Sequence, residues 1–397
     1  MKILMIVPFL PNTQMSGGQT RWYNIIKYLS HNHEITLYSL IKEDNEKRFI
    51  PELRKYCKKV RVFKRSKTPW TARNLFLTIF GTYPLLVVRN LSPREKRALK
   101  EELTDNKYDL IHAETFYVMP HIPETSVPSI LVEQTIEYQV YKHYVDNEVP
   151  WLLRPLFMID VMKLKFWEQY YWKKTDRLVA VSEEDRKVMR ELIPGIKVDI
   201  IPNGVDSAYF ANYKVARKDP PRILYGAANF KWLQNVEAVE FLVEHIWPTI
   251  QKKSKNAVLW IVGTSIPRKI IDMANKNPRI EITESIPDVR DALKAASVII
   301  VPVKGPGGTR LKMLEALAAG SPVVSTSVGA AGLNLVHKRH AMISDNPKEL
   351  ARYTLELLGK PILARMIGRN GREYVKKHFD WEVLGKLHDE IYKEIVK

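Results

Sequence analysis

Cysteine is almost absent: Cys57 is the single one in 397 residues, so an internal disulfide framework and a cysteine-rich metal site are both excluded. A reducing, cytoplasmic setting fits that usage best. Long apolar runs are missing as well. The uncharged stretch Asn74 to Val88 is shorter than the ~20 residues that a membrane-spanning helix needs, and Gly81 and Pro84 interrupt it. The opening MKILMIVPFLPN has an apolar run but no small-residue cleavage pattern after it, so no secretory leader is expected. Any membrane association is therefore expected to be peripheral. No nucleic-acid recognition motif occurs, so nucleic acid is not an expected partner. The dinucleotide fingerprint G-x-G-x-x-G is missing too.

What is present describes a folded chain of two domains. Hydrophobic residues make up 45% and charged residues 27%, which is near the globular average and excludes disorder. The length suits two domains of roughly 200 residues each better than one core. Two domains imply a cleft. Lys and Arg number 62 against 44 Asp and Glu, a net charge of +18 that favours an anionic partner such as phosphate or a lipid headgroup surface. The excess concentrates between Arg54 and Lys100, where Lys58, Lys59, Arg61, Lys64, Arg65, Arg73, Arg89 and Arg94 interleave with apolar residues. That pattern suits a solvated face or an anionic-membrane docking surface equally.

Along the chain, short apolar runs alternate with amphipathic segments. KILMIVPF, TRWYNIIKYLS and HEITLYSL read as strand, helix, strand, and further runs follow at YDLIHA, SILVEQ and RLVAVS. A second series begins near Pro221 with RILYGAA, NVEAVEFLVEHIWPTI, AVLWIVGT, RIEITES and SVIIVPV. Fully apolar strands alternating with helices predict parallel sheets covered on both faces. The expected fold is therefore α/β: two Rossmann-like domains, 1–205 and 206–380, whose parallel sheets face a central cleft. A C-terminal helix over 381–397 is free to pack back on the first domain.

Ligands of such sheets bind beyond the carboxyl ends of the strands, so the strand-to-helix loops carry the chemistry. In SVIIVPVKGPGGTRLKMLEALAAGSPVVST, an apolar strand leads into Gly305, Gly307 and Gly308, then into a helix from about Thr309 that stops at Gly320 and Pro322. Free amides and the helix dipole favour phosphate there. Arg310 and Lys312 oppose that dipole, which an anion-binding role explains. Glu315, one turn further, can accept two ribose hydroxyls or can be a solvated glutamate. In QMSGGQTRW, Gly17 and Gly18 offer a second backbone-amide site or a plain turn. In YDLIHAETF, His112 is expected to end its strand and reach the cleft, although a lone histidine there is more often structural.

These segments, together with IPNGVD, AVSEEDR and NVEAVEFLVEHIWP, resemble family 4 glycosyltransferases over most of the chain. The resemblance implies a GT-B fold and transfer of a sugar from a nucleotide-sugar to a hydroxyl acceptor, with retention of configuration. It implies donor binding by Gly17, Gly18, Lys231, Gly307, Gly308, Thr309, Arg310, Lys312 and Glu315, with Glu315 on the ribose. It gives His112 a catalytic place beside the donor sugar, and Glu114, Glu133 and Glu137 stand as acceptor-side candidates. No metal and no cofactor is expected, since such enzymes offset the leaving diphosphate with side chains and helix dipoles. Two departures stand out: Gly307 replaces a common second glutamate, and Glu114 replaces a second histidine. A glycan or lipid-linked acceptor in cell-envelope synthesis, with peripheral contact to an anionic membrane, is the partner implied. A sugar-nucleotide epimerase and a non-catalytic nucleotide-binding protein remain alternatives.

Overall fold

In the computed structural model, which describes residues 1–13, 17–305 and 311–396, the chain divides into two units. One comprises Met1–Pro202 with Leu384–Lys397 and the other Asn203–Val383. Among the described residues, the first unit carries a parallel sheet of β1 (Lys2–Val7), β2 (Glu34–Ile41), β3 (Lys59–Lys64), β4 (Leu110–Glu114), β5 (Ser129–Glu133), β6 (Arg177–Ala180) and β7 (Val198–Ile200), in the order β3-β2-β1-β4-β5-β6-β7. The second carries β8 (Arg222–Asn229), β9 (Val258–Thr264), β10 (Ile280–Thr283), β11 (Val298–Val301), β12 (Val323–Ser325) and β13 (Met342–Ile343), in the order β10-β9-β8-β11-β12-β13. Each sheet reverses its winding once, at β1/β4 and at β8/β11. Those reversals leave the crevices in which α/β sheets hold ligands.

The apolar runs form strands because both faces of each sheet are covered. Ile3 to Val7 and Val298 to Val301 are buried throughout, as a parallel sheet between two helix layers requires. Register follows from that burial, with Met5 opposite His112 and Val301 opposite Ser325. The helix Leu311–Ala318 ends as its sequence predicts. Gly320 takes a φ of 72°, and the amides of Gly320 and Ser321 return to the carbonyls of Leu317 and Ala316 at 2.8 and 3.1 Å.

The unit boundaries differ by a few residues from the expected 205 and 380, and side chains explain why. Arg21 holds the carbonyls of Ile201 and Pro202 at 3.0 and 2.6 Å, which keeps them in the first unit. Val205 bridges to Asp380 instead, and the Asp380 carboxylate accepts from the Ser207 amide at 3.1 Å in the second unit. The last helix, Trp381–Ile395, belongs to the first unit from Leu384 onward. His33 Nε2 lies 2.7 Å from Asp389 there, and Gly385 sits so close to Tyr28 that a Cβ would fall 1.8 Å from its ring.

Candidate functional site

The second unit places Glu315 and Lys312 in the first turns of the helix after β11, beside the β8/β11 reversal. Lys312 Nζ lies over the ring of Tyr225, 4.6 Å from its centroid. It donates to Asn235 Oδ1 at 2.5 Å and to Tyr225 Oη at 3.1 Å. Its charge is thereby anchored to the middle of β8 and to the helix that follows it, Leu233–Phe241. Glu315 is half-buried, and burial pushes its carboxyl up to about 7 despite the opposing pull of Lys312. Among the described residues its carboxylate makes no hydrogen bond. A carboxylate raised by burial and without a hydrogen bond among the described residues is a candidate for contact with a ligand. Lys231 follows β8 with an exposed side chain; its amide donates to Asn229 Oδ1 at 3.0 Å.

Gly307, Gly308, Thr309 and Arg310 lie outside the described residues. At Gly305 the missing side chain has a use besides the expected one. A Cβ there would meet Gln234 Cγ at 2.7 Å, so the close approach of a neighbouring helix also requires glycine here.

In the first unit the polar groups at the β1/β4 reversal are bonded largely to one another, although His388 Nε2 is buried without a hydrogen-bond partner. The expectation for His112 is corrected: it is the third of five residues in β4, and its ring is fully buried. Nδ1 contacts the Tyr392 hydroxyl, Nε2 lies 3.0 Å from Glu114 Oε1, and the ring stacks on His388 at 6.0 Å. Both ring nitrogens are occupied. Glu114 is likewise fully buried and also accepts from Gln134 Nε2 at 3.2 Å. Burial raises its pKa, but His112 and Arg21 outweigh that and hold the carboxyl below its usual range. Burial lowers the pKa of Arg21, and Glu114 opposes it.

Glu133 is neither solvated nor open. Its Oε1 accepts from the Phe116 amide and from Trp172 Nε1, both at 3.0 Å. Burial and the neighbouring Glu168 hold its pKa well above the usual value. Glu168, which the sequence did not single out, caps the next helix by accepting from the amides of Glu137 and Tyr138 at 2.7 and 3.3 Å. Glu137 differs from both. It is half-buried, burial pushes its carboxyl up to about 7, and no described residue hydrogen-bonds to its side chain. Gly17 and Gly18 open the helix Gly17–Leu29, and a Cβ on Gly18 would come within 2.9 Å of Gln134 Oε1. Among the described residues no cluster of His, Cys, Asp and Glu could hold a metal ion.

Two family models match the chain. Residues 15–209 match the model described as Glycosyltransferase Family 4 and residues 221–360 the one described as Glycosyl transferases group 1. A Klebsiella pneumoniae protein described as an uncharacterized 44.6 kDa protein in cps region is 20% identical, over 99% of both chains. Among solved structures, Anabaena HepE in complex with UDP is similar with a TM-score of 0.68 at 13% identity, covering 99% of this chain and 100% of that one. WaaG, a glycosyltransferase involved in lipopolysaccharide biosynthesis, has a TM-score of 0.67 at 15% identity, covering 98% and 99%. These structural likenesses establish the GT-B fold.

Proposed function

The chain belongs to the family 4, group 1 glycosyltransferases, and from that premise we propose that it transfers a sugar from a nucleotide-sugar to a hydroxyl of a glycan or lipid-linked acceptor, with retention of configuration. The matches favour a transferase over an epimerase or a non-catalytic binding protein. We assign the donor to the second unit. The observation that carries this is Glu315: a half-buried carboxylate without a hydrogen bond among the described residues and pushed up to about 7, suited to two ribose hydroxyls. The complex of HepE with UDP supports a nucleotide donor.

The chemistry asks for stabilisation of a departing diphosphate. Lys231 and Arg310, with amides of Gly308 and Thr309, would supply fixed positive charge where negative charge develops. No metal is invoked. The acceptor falls to the first unit, where Glu137 is the candidate with an open carboxylate. With no nucleophile assigned, the leaving phosphate takes the acceptor proton, and a trapped glycosyl-enzyme intermediate would overturn that step. Work at a membrane surface fits the side chains of Phe76, Phe80, Leu156 and Phe166, which are exposed on the first unit, although no described helix is long and apolar enough to cross a bilayer.

Thermal-shift screening against UDP-, GDP- and ADP-sugars tests the donor reading, because a ligand of the native state raises its apparent stability. One nucleotide class should raise the midpoint of the wild type and leave Glu315→Ala unmoved. An equal shift in the variant would remove Glu315 from the site.

A further inference from the structure

A cavity of about 400 Å³ in the first unit is lined by Lys64, Arg65, Ser66, Arg73, Leu91, Ser92, Pro93 and Arg94. It lies where β3 ends and where the thirteen-residue helix Pro93–Asp105 begins. Arg65 is only 9% exposed. Its Nε and Nη1 are buried without a hydrogen-bond partner, and the guanidinium rests 4.4 Å over the ring of Phe9. Burial, with Arg89 alongside, lowers its pKa to about 10. Arg89 Nε is itself buried and unbonded.

Among the described residues no carboxylate forms an ion pair with Arg65 or Arg89, and Glu46 acts on Arg65 only from a distance. The sequence holds no Asp or Glu between Glu52 and Glu95. Glu95, in the first helical turn, is fully buried and faces His121 Nε2 at 3.5 Å, and burial pushes it up to about 8, so at neutral pH it is largely uncharged. Glu46 accepts instead from the amides of Lys42 and Glu43 at 2.7 and 3.0 Å. Lys64 is paired with Asp44 at 2.6 Å. Arg73 and Arg94 are exposed and form no ion pair among the described residues. A buried guanidinium without a counter-charge is costly, and here it adjoins two free arginines and the amide end of a helix, where an anion is favoured.

The helix that bears Arg73, Ala72–Phe80, leaves Phe76, Ile79 and Phe80 exposed. It is tied to the helix Arg154–Lys174, whose outer face shows Leu156, Ile159, Met162 and Phe166. Lys163 Nζ donates to the carbonyls of Thr78 and Gly81 at 2.6 and 2.8 Å, and Trp167 Nε1 to that of Thr82 at 2.9 Å. The cationic cavity and the apolar ridge thus share the helix Ala72–Phe80, which carries Arg73 of the one and Phe76, Ile79 and Phe80 of the other. A second copy of the chain would bring like charges together at such a face. An amphiphile with a phosphate head would satisfy both features.

We propose that this cavity is a binding site for the phosphate group of a membrane lipid, with Arg65, Arg73 and Arg94 holding the phosphate and the Phe76/Phe80 ridge meeting the hydrocarbon. This rests on the peripheral-membrane reading above and extends it from a surface to a site. The test is sedimentation of the full chain with vesicles of phosphatidylcholine alone or mixed with phosphatidylglycerol. Wild type should prefer the mixed vesicles, and inorganic pyrophosphate should compete. The exposed pair Arg73→Gln/Arg94→Gln should lose roughly tenfold or more of that preference, and Arg65→Met should lose it too. Lys252→Gln/Lys253→Gln, which removes equal charge from the second unit, should keep it. Equal binding of both vesicle types by wild type would overturn the site and leave the apolar membrane reading standing; no binding to either would overturn both. Arginine variants that bind like wild type, or a control pair that loses as much as they do, would also sink it.

Discussion

The two sheet reversals differ in what they do with a carboxylate: Glu114 is bonded through both oxygens, and Glu315 through neither among the described residues. At β1/β4, His112, Glu114, Arg21, Gln134 and Tyr392 spend their hydrogen bonds on one another or on nearby backbone. At β8/β11, Glu315 spends none among the described residues, and burial alone keeps its carboxyl near 7. One reversal stores stability and the other withholds it, as a ligand site does.

The largest effect should come from the closed side. Arg21→Ala strips Glu114 of a buried counter-charge and orphans two carbonyls, a change that costs roughly 3–5 kcal/mol. Urea unfolding should show it, and a loss below about 1 kcal/mol would mean that the network is not what holds the unit. Tyr392→Phe is milder. It leaves His112 Nδ1 buried without its partner and should cost about 1–3 kcal/mol by the same assay; a smaller loss in Arg21→Ala than in Tyr392→Phe would invert the ranking.

On the open side the sign reverses. The folded Glu315 carboxyl titrates near 7 against 4.5 for the ordinary group, so between those values the folded state binds more protons and stability falls as pH rises. Glu315→Gln escapes that loss. It should match wild type below pH 4.5 and exceed it by roughly 1–3 kcal/mol above pH 8, a range already discounted for partial exposure. A destabilised variant at pH 8 would show that Glu315 has a structural partner after all. Lys231→Ala should move the unfolding midpoint least, since its side chain is exposed, while weakening donor binding; unchanged donor binding would remove Lys231 from the site.

The strands were legible because burial on both faces leaves unbroken apolar runs, as in KILMIVPF and SVIIVPV. The end of the Leu311–Ala318 helix was legible because Gly320 and Pro322 act locally. Glu315 stood out through the family resemblance, since its place in that helix suited a solvated glutamate equally. The closure of His112 could not, since Tyr392 stands 280 residues away and a contact that distant leaves no periodic trace. Charge between Arg54 and Lys100 was visible in bulk. That Arg65 turns inward among them while Arg73 and Arg94 stay out is a property of packing, and only its unmet hydrogen bonds reveal it.

The difference between the two reversals reduces to one proton. If ribose hydroxyls complete Glu315, binding favours the ionised carboxylate, and the proton held near pH 7 must leave. Calorimetric titration of the stabilising nucleotide at pH 7, in two buffers of different ionisation enthalpy, measures that release. Wild type should release protons on binding and Glu315→Gln should not. Equal release by both, or tight binding by wild type with no release, would contradict the account.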